Sequence, residues 1–267
     1  MNAMKFTRNL FALWTATCVF TSAAPAAQPA PGAEPAPPAT TEKRVNAAIV
    51  PAPRDVDRVH QRFELLNQRV KAAQGQVDLV FLGDSITQGW EGNGKAVWQR
   101  YYAHRKALNL GIGGDRTQHV LWRLEHGNLD GIKPKVIVVM IGTNNSNRDD
   151  HTPGEILEGV TAVVDLLRAK LPETRILLLS IFPRGATFND QRGKILQVNQ
   201  ALAKLDDNRA VFYLDFGHRL IEKDGSISKT IMPDYLHLSE QGYRIWAESL
   251  EPKLAELLGD RPVPAGS

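Results

Sequence analysis

The chain has 267 residues, of which 43% are hydrophobic and 23% charged. That balance fits a globular protein with one sizeable core and excludes a disordered or fibrous chain. Its 32 basic and 29 acidic residues leave a net charge of +3, too slight an excess to argue for nucleic acid or an anionic membrane surface as partner. The single cysteine, Cys18, excludes an internal disulfide and a cysteine metal site.

In chain order, Lys5 and Arg8 precede an uncharged stretch from Asn9 to Phe20, and small residues follow with an Ala24-Pro25-Ala26 site. A positive start, a short apolar centre and an A-x-A end describe a secretory signal peptide over residues 1–26. The apolar run is shorter than the ~20 residues a bilayer span requires. The expectation is therefore a secreted or periplasmic protein with no integral membrane span in its mature form; a retained anchor is the other reading. Loss of Lys5 and Arg8, with no acid removed, lowers the net charge by two, from +3 to +1. Residues 27–44, rich in alanine and proline, read as a stiff, extended linker. One folded domain is expected over residues 45–258, with a C-terminal tail over 259–267.

Val56, Val59, Phe63, Leu66 and Val70 recur at helical spacing, which predicts a first helix from Asp55 to Gln74 with Gly75 as its stop. Five short runs rich in aliphatic and β-branched residues then read as strands: Val77–Leu82, Ala107–Leu110, Lys135–Ile141, Arg175–Ile181 and Ala210–Leu214. "VIVVMI" and "ILLLSI" are apolar on both faces, as central parallel strands covered on each side are. Thr152-Pro153-Gly154-Glu155 is a capping box with proline at the first helical position, opening a helix that runs to Pro172. Ser239 caps a last helix carrying Tyr243, Trp246, Leu250 and Leu254, in which Pro252 should produce a kink. This alternation implies an α/β fold, a three-layer α/β/α sandwich around a five-stranded parallel sheet. Ligands in such folds sit outside the carboxyl ends of the strands.

Four stretches fall at that edge: "GDSI" (83–86), "GIGGDRT" (111–117), "GTNN" (142–145) and "PDYLHLS" (233–239). Each has an ordinary reading as a turn or helix cap. A dinucleotide site in the second fails, because Arg116 stands where a third glycine is required. Taken together, the stretches supply what serine ester hydrolysis needs. Ser85 offers a hydroxyl, His237 an imidazole base, and Asp234 a carboxylate three residues before it. The backbone amides of Ser85 and Gly114 and the side-chain amide of Asn144 are donors for an oxyanion. His218, with Asp215 three residues earlier, is a rival pair of the same spacing. A third reading makes Asp234 and His237 metal ligands, but two ligands without a visible third form a weak site.

These blocks, in this order over residues 77–250, resemble the SGNH (GDSL) hydrolase family. The stretch "LNLGIGGDRTQHVLWRLEHGNLDGIKPKVIVVMIGTNN" is especially similar to platelet-activating-factor acetylhydrolase Ib catalytic subunits. The resemblance implies a flavodoxin-like sandwich. It also implies an acyl-serine mechanism without metal or organic cofactor: Ser85 as nucleophile, His237 as base with Asp234, and an oxyanion hole from Ser85, Gly114 and Asn144. By the same resemblance Ile86, Thr143 and Leu236 wall a small acyl pocket, and a homodimer is expected. Two departures stand out: Ile86 in place of the leucine of GDSL, and Asn145 where many members carry aspartate. Export makes a short-chain, acetyl ester of carbohydrate the expected substrate. The alternatives are a phospholipid or lysophospholipid acyl ester, or a noncatalytic carbohydrate-binding module on the same fold.

Overall fold

The computed structural model describes residues 45–266. The expected signal peptide and linker, with Cys18, lie outside the described residues. Twelve elements build the domain: α1 (Asp57–Ala72), β1 (Leu79–Gly83), α2 (Ser85–Gln88), α3 (Lys95–Tyr101), β2 (Ala107–Gly111), α4 (Thr117–Glu125), β3 (Val136–Met140), α5 (Pro153–Lys170), β4 (Arg175–Leu179), α6 (Asp190–Leu202), β5 (Val211–Leu214) and α7 (Glu240–Leu258). The strand ends lie within two residues of the boundaries read from the sequence.

The five strands form one all-parallel sheet in the order β2-β1-β3-β4-β5. Because side chains alternate along each strand, successive residues feed opposite layers. Val80, Leu82, Ile137 and Val139 pack with residues of α1, α4, α5 and α6 in one apolar cluster. Leu79, Phe81, Val136 and Val138 pack with those of α3 and α7 in the other, where Trp90 and Trp246 are buried. This is the three-layer α/β/α sandwich.

The capping box at Thr152 forms: its hydroxyl accepts from Glu155 N–H at 3.2 Å, and Glu155 accepts from Thr152 N–H at 2.8 Å. Ser239 caps α7 by accepting from Gly242 N–H. Pro252 does not interrupt α7, which continues to Leu258 with Trp246, Leu250 and Leu254 buried on either side of it. Apolar anchorage on both sides of the proline outweighs the one helical hydrogen bond it removes. Residues 259–266 do not trail away from the domain. Asp260 pairs with Arg105, Val263 N–H donates to Glu251, and Pro264 O accepts from Arg100. No helix among the described residues is long and apolar enough to cross a membrane.

Strand order reverses at β1: β2 lies on one side of it and β3 on the other. Gly83 at the end of β1 is in register with Gly111 of β2 and Met140 of β3, so the loops that follow these three strands leave the sheet side by side. That is the crevice where an open α/β sheet takes its ligands.

Candidate active site

Ser85 stands at the first position of α2, two residues beyond the end of β1. The ordinary reading of "GDSI" as a capped helix start is correct for Asp84, whose Oδ1 accepts from Ile86 N–H at 3.0 Å. Ser85 is left free of that duty. Its Oγ lies 2.9 Å from His237 Nε2. On the other side of the ring, Nδ1 lies 2.6 Å from Asp234 Oδ2.

The loop carrying His237 is shaped by the same aspartate. Asp234 Oδ1 accepts from the N–H groups of Leu236 (3.0 Å) and His237 (2.7 Å), which aims Oδ2 at the ring. The turn puts Tyr235 in the left-handed region, φ +61°, a conformation that costs a non-glycine residue about 1–2 kcal/mol. Burial acts to raise the Asp234 carboxyl, but the hydrogen bonds from the His237 ring and from the two N–H groups outweigh it and hold the group below the usual range. An ionised partner for Nδ1–H follows, with Nε2 turned toward Ser85 as acceptor.

The loop after β2 runs past the same hydroxyl. Gly113 N–H donates to Gln88 Oε1 at 2.7 Å, while the N–H of Gly114 has no acceptor among the described residues. The N–H of Ser85, at the first position of a helix, has no intrahelical acceptor either. Gly114 has φ +81°, and a Cβ there would meet the Arg54 guanidinium at 3.0 Å. Both facts favour glycine. Asn144, from the loop after β3, donates through Nδ2 to Asp115 O at 2.9 Å and faces Asp84 Oδ2 at 3.4 Å. The second contact exceeds ordinary hydrogen-bond length, so one N–H of the amide is only weakly engaged. Asn145, where aspartate would be common, is fully buried and bonded to Thr117 and Gln118 at the start of α4.

Ser85, Gly114, Asn144, Leu236 and His237 line one cavity of about 450 Å³. Of the three residues expected to wall an acyl pocket, only Leu236 lines it. Ile86 and Thr143 are each 1% exposed and lie outside its lining. The physical reason is that Ile86 occupies the inward face of α2 and packs with Phe81, Trp90 and Tyr243. Thr143 is engaged by Arg184, which donates to its hydroxyl and its carbonyl. The rival pair lies elsewhere: Asp215 and His218 line a separate cavity, and Asp215 accepts from Ser180 Oγ and Gly217 N–H.

Sequence reasoning missed the buried ionic support. Arg123 donates to Asp115 Oδ2 (2.9 Å), Asn128 Oδ1 (2.6 Å) and Gly83 O (3.0 Å), tying the end of β1 to the loop after β2. Arg54 clamps the same loop from outside through Gly113 O at 2.6 Å. Asp84 is fully buried, and that burial pushes its carboxyl up from 3.8 to about 7 against the opposing Ile86 N–H. No periodicity marks such residues, because each contact spans loops distant in the chain.

A profile described as the GDSL-like Lipase/Acylhydrolase family matches residues 81–245. Over 216 residues the chain is 38% identical to platelet-activating factor acetylhydrolase IB subunit alpha1 of Homo sapiens, covering 80% of this chain and 91% of that protein. A GDSL-like lipase from Bacteroides thetaiotaomicron superposes with a TM-score of 0.60 at 19% identity, covering 74% of this chain and 97% of that one. An acetylxylan esterase from Geobacillus stearothermophilus, in a catalytic mutant form, gives 0.54 at 18% identity, covering 71% and 97%. At that identity the last two are likenesses of fold.

Proposed function

The chain belongs to the GDSL-like lipase/acylhydrolase family and is a carboxylic ester hydrolase, and on that premise we propose that it removes acetyl groups from acylated carbohydrate through an acyl-serine intermediate. His237 Nε2 takes the Ser85 proton as Oγ attacks the ester carbonyl. The N–H groups of Ser85 and Gly114 and the Asn144 amide receive the developing oxyanion. Asp234 holds the imidazole in its tautomer and stabilises the imidazolium. His237 then protonates the departing alcohol, and water, activated by the same nitrogen, releases acetate and regenerates the serine. The single observation that carries this reading is the contact of 2.9 Å between Ser85 Oγ and His237 Nε2.

A fluorophosphonate probe tests it. The wild-type chain should label, and Ser85→Ala should lose both the label and essentially all esterase activity while its thermal unfolding is unchanged. Persistent labelling in that variant would remove Ser85 from the chemistry.

Acetyl as the acyl group rests on the acetylhydrolase name of the 38% identical relative and on Leu236 in the cavity wall. A series of p-nitrophenyl esters from acetate to octanoate should fall in kcat/KM with length, and a rise toward octanoate would favour the lipid acyl hydrolase instead. Carbohydrate as the alcohol rests on export, and export on the pattern of Lys5, Arg8 and residues 9–26. Sequencing the amino terminus of the mature protein checks that step.

A further inference from the structure

We infer that the catalytic cavity accepts esters whose alcohol portion carries an anion, a carboxylate or a phosphate, and that Arg58 is the residue that recognises it. This deepens the reading of Ser85 and His237 as a hydrolytic pair and rests on it.

Three guanidinium groups, Arg54, Arg58 and Arg62, line the same cavity as Ser85 and His237, and none of its lining residues is acidic. Arg58 and Arg62 lie four residues apart on one face of α1, and Arg54 comes from the segment that leads into it. Two of the three have structural work. Arg54 holds Gly113 O and pairs with Asp115, and Arg62 pairs with both oxygens of Glu91. Each of those carboxylates is shared with a second guanidinium, Asp115 with Arg123 and Glu91 with Arg69. The wall therefore keeps a surplus of positive charge.

The Arg58 guanidinium makes no hydrogen bond or ion pair with any described residue. It sits in the first turn of α1, where the helix dipole disfavours a cation, and four residues from a like charge. Helix stability gives no account of arginine at this position, whereas its place on the cavity wall does. An acetyl group is too small to carry an anion, so the charge that answers Arg58 belongs to the alcohol. A planar guanidinium with its donors unclaimed suits the paired oxygens of a carboxylate or a phosphate.

The test compares matched acetyl esters with and without the charge: O-acetylated galacturonate against O-acetylated galactose, and acetylated glycerol phosphate against monoacetylglycerol. The wild-type enzyme should prefer the anionic member of at least one pair in kcat/KM. The responding pair identifies the anion as carboxylate or phosphate. Arg58→Gln should lower the anionic-to-neutral ratio about tenfold through KM, the scale of one charge-assisted contact. Arg58→Lys should restore part of it. The preference should also shrink with added salt. Equal rates within both pairs, or a preference that Arg58→Gln leaves intact, would overturn the inference while leaving ester hydrolysis standing. Loss of turnover on all four esters together with loss of fluorophosphonate labelling would instead overturn the hydrolytic reading, and this inference with it.

Discussion

Asn144 joins two buried groups to the open cavity. Its Nδ2 is held by Asp115 O, and its other N–H, facing Asp84 Oδ2 at 3.4 Å, can turn toward a developing oxyanion with little loss. Asn144→Ala should therefore lower kcat by roughly 10²- to 10³-fold with KM little changed, as removal of a donor acting in the transition state does. A steady-state comparison on p-nitrophenyl acetate checks this. Asp84, beside it, makes a statement about stability. Its carboxyl titrates at about 7 in the folded protein against 3.8 unexposed to burial. Below 3.8 both states are protonated; between 3.8 and about 7 only the unfolded state releases its proton, so this group makes the fold less stable as pH rises through that window. Asp84→Asn, which cannot ionise, should gain in urea midpoint relative to the wild type from about pH 4 to about pH 7 and level off above. A constant difference across that range would show that Asp84 ionises normally.

The element on which the site depends most is α2, only four residues long and too short to be stable alone. Its carbonyls are held from outside. Tyr243 of α7 donates to Ile86 O at 2.6 Å, and Asn109 of β2 donates to Thr87 O at 3.0 Å. The turn into it is equally tight: a Cβ on Gly83 would lie 2.2 Å from Thr87 Oγ1 and 2.3 Å from Met140 O. Gly83→Ala must therefore push α2 away from β3, carrying Ser85 with it. It should cost about 1–3 kcal/mol of stability and lower kcat by more than the lost stability alone explains, since small misplacements of a reacting group slow the chemistry. Chemical denaturation and turnover measured on the same preparation check both parts.

Across the whole molecule, the end of the chain is tied to the middle by charge buried in the fold. Arg105, before β2, pairs through two nitrogens with both oxygens of Glu251 in α7, at 2.6 and 2.8 Å, and also with Asp260 beyond that helix. Arg105 and Glu251 are almost wholly buried. Removing one partner strands the other, so Arg105→Ala should cost roughly 3–5 kcal/mol. An apolar replacement of both, Arg105→Met with Glu251→Leu, should recover much of that loss. Denaturant midpoints of the three chains decide the matter, and an Arg105→Ala chain as stable as the wild type would show the pair to be solvated.

Periodicity alone, read along the chain, determined the parallel three-layer architecture, because each strand and helix records its burial in local spacing. "VIVVMI" and "ILLLSI" fit strands covered on both faces, and the Thr152 box fits the start of a helix. The positions of Ser85, Gly114, Asn144 and His237 just after predicted strands, or just before the last helix, likewise lead to the expectation that they meet at one edge of the sheet. Local spacing could not say which histidine meets the serine, since Asp215/His218 and Asp234/His237 are identical in it. Ser85 and His237 are 152 residues apart, and strand order decides their meeting at 2.9 Å. Nor could it turn Ile86 and Thr143 away from the cavity, or gather Arg54, Arg58 and Arg62 around it. Those outcomes depend on which faces the packed layers leave open, and that is a property of the assembled fold, not of any one segment.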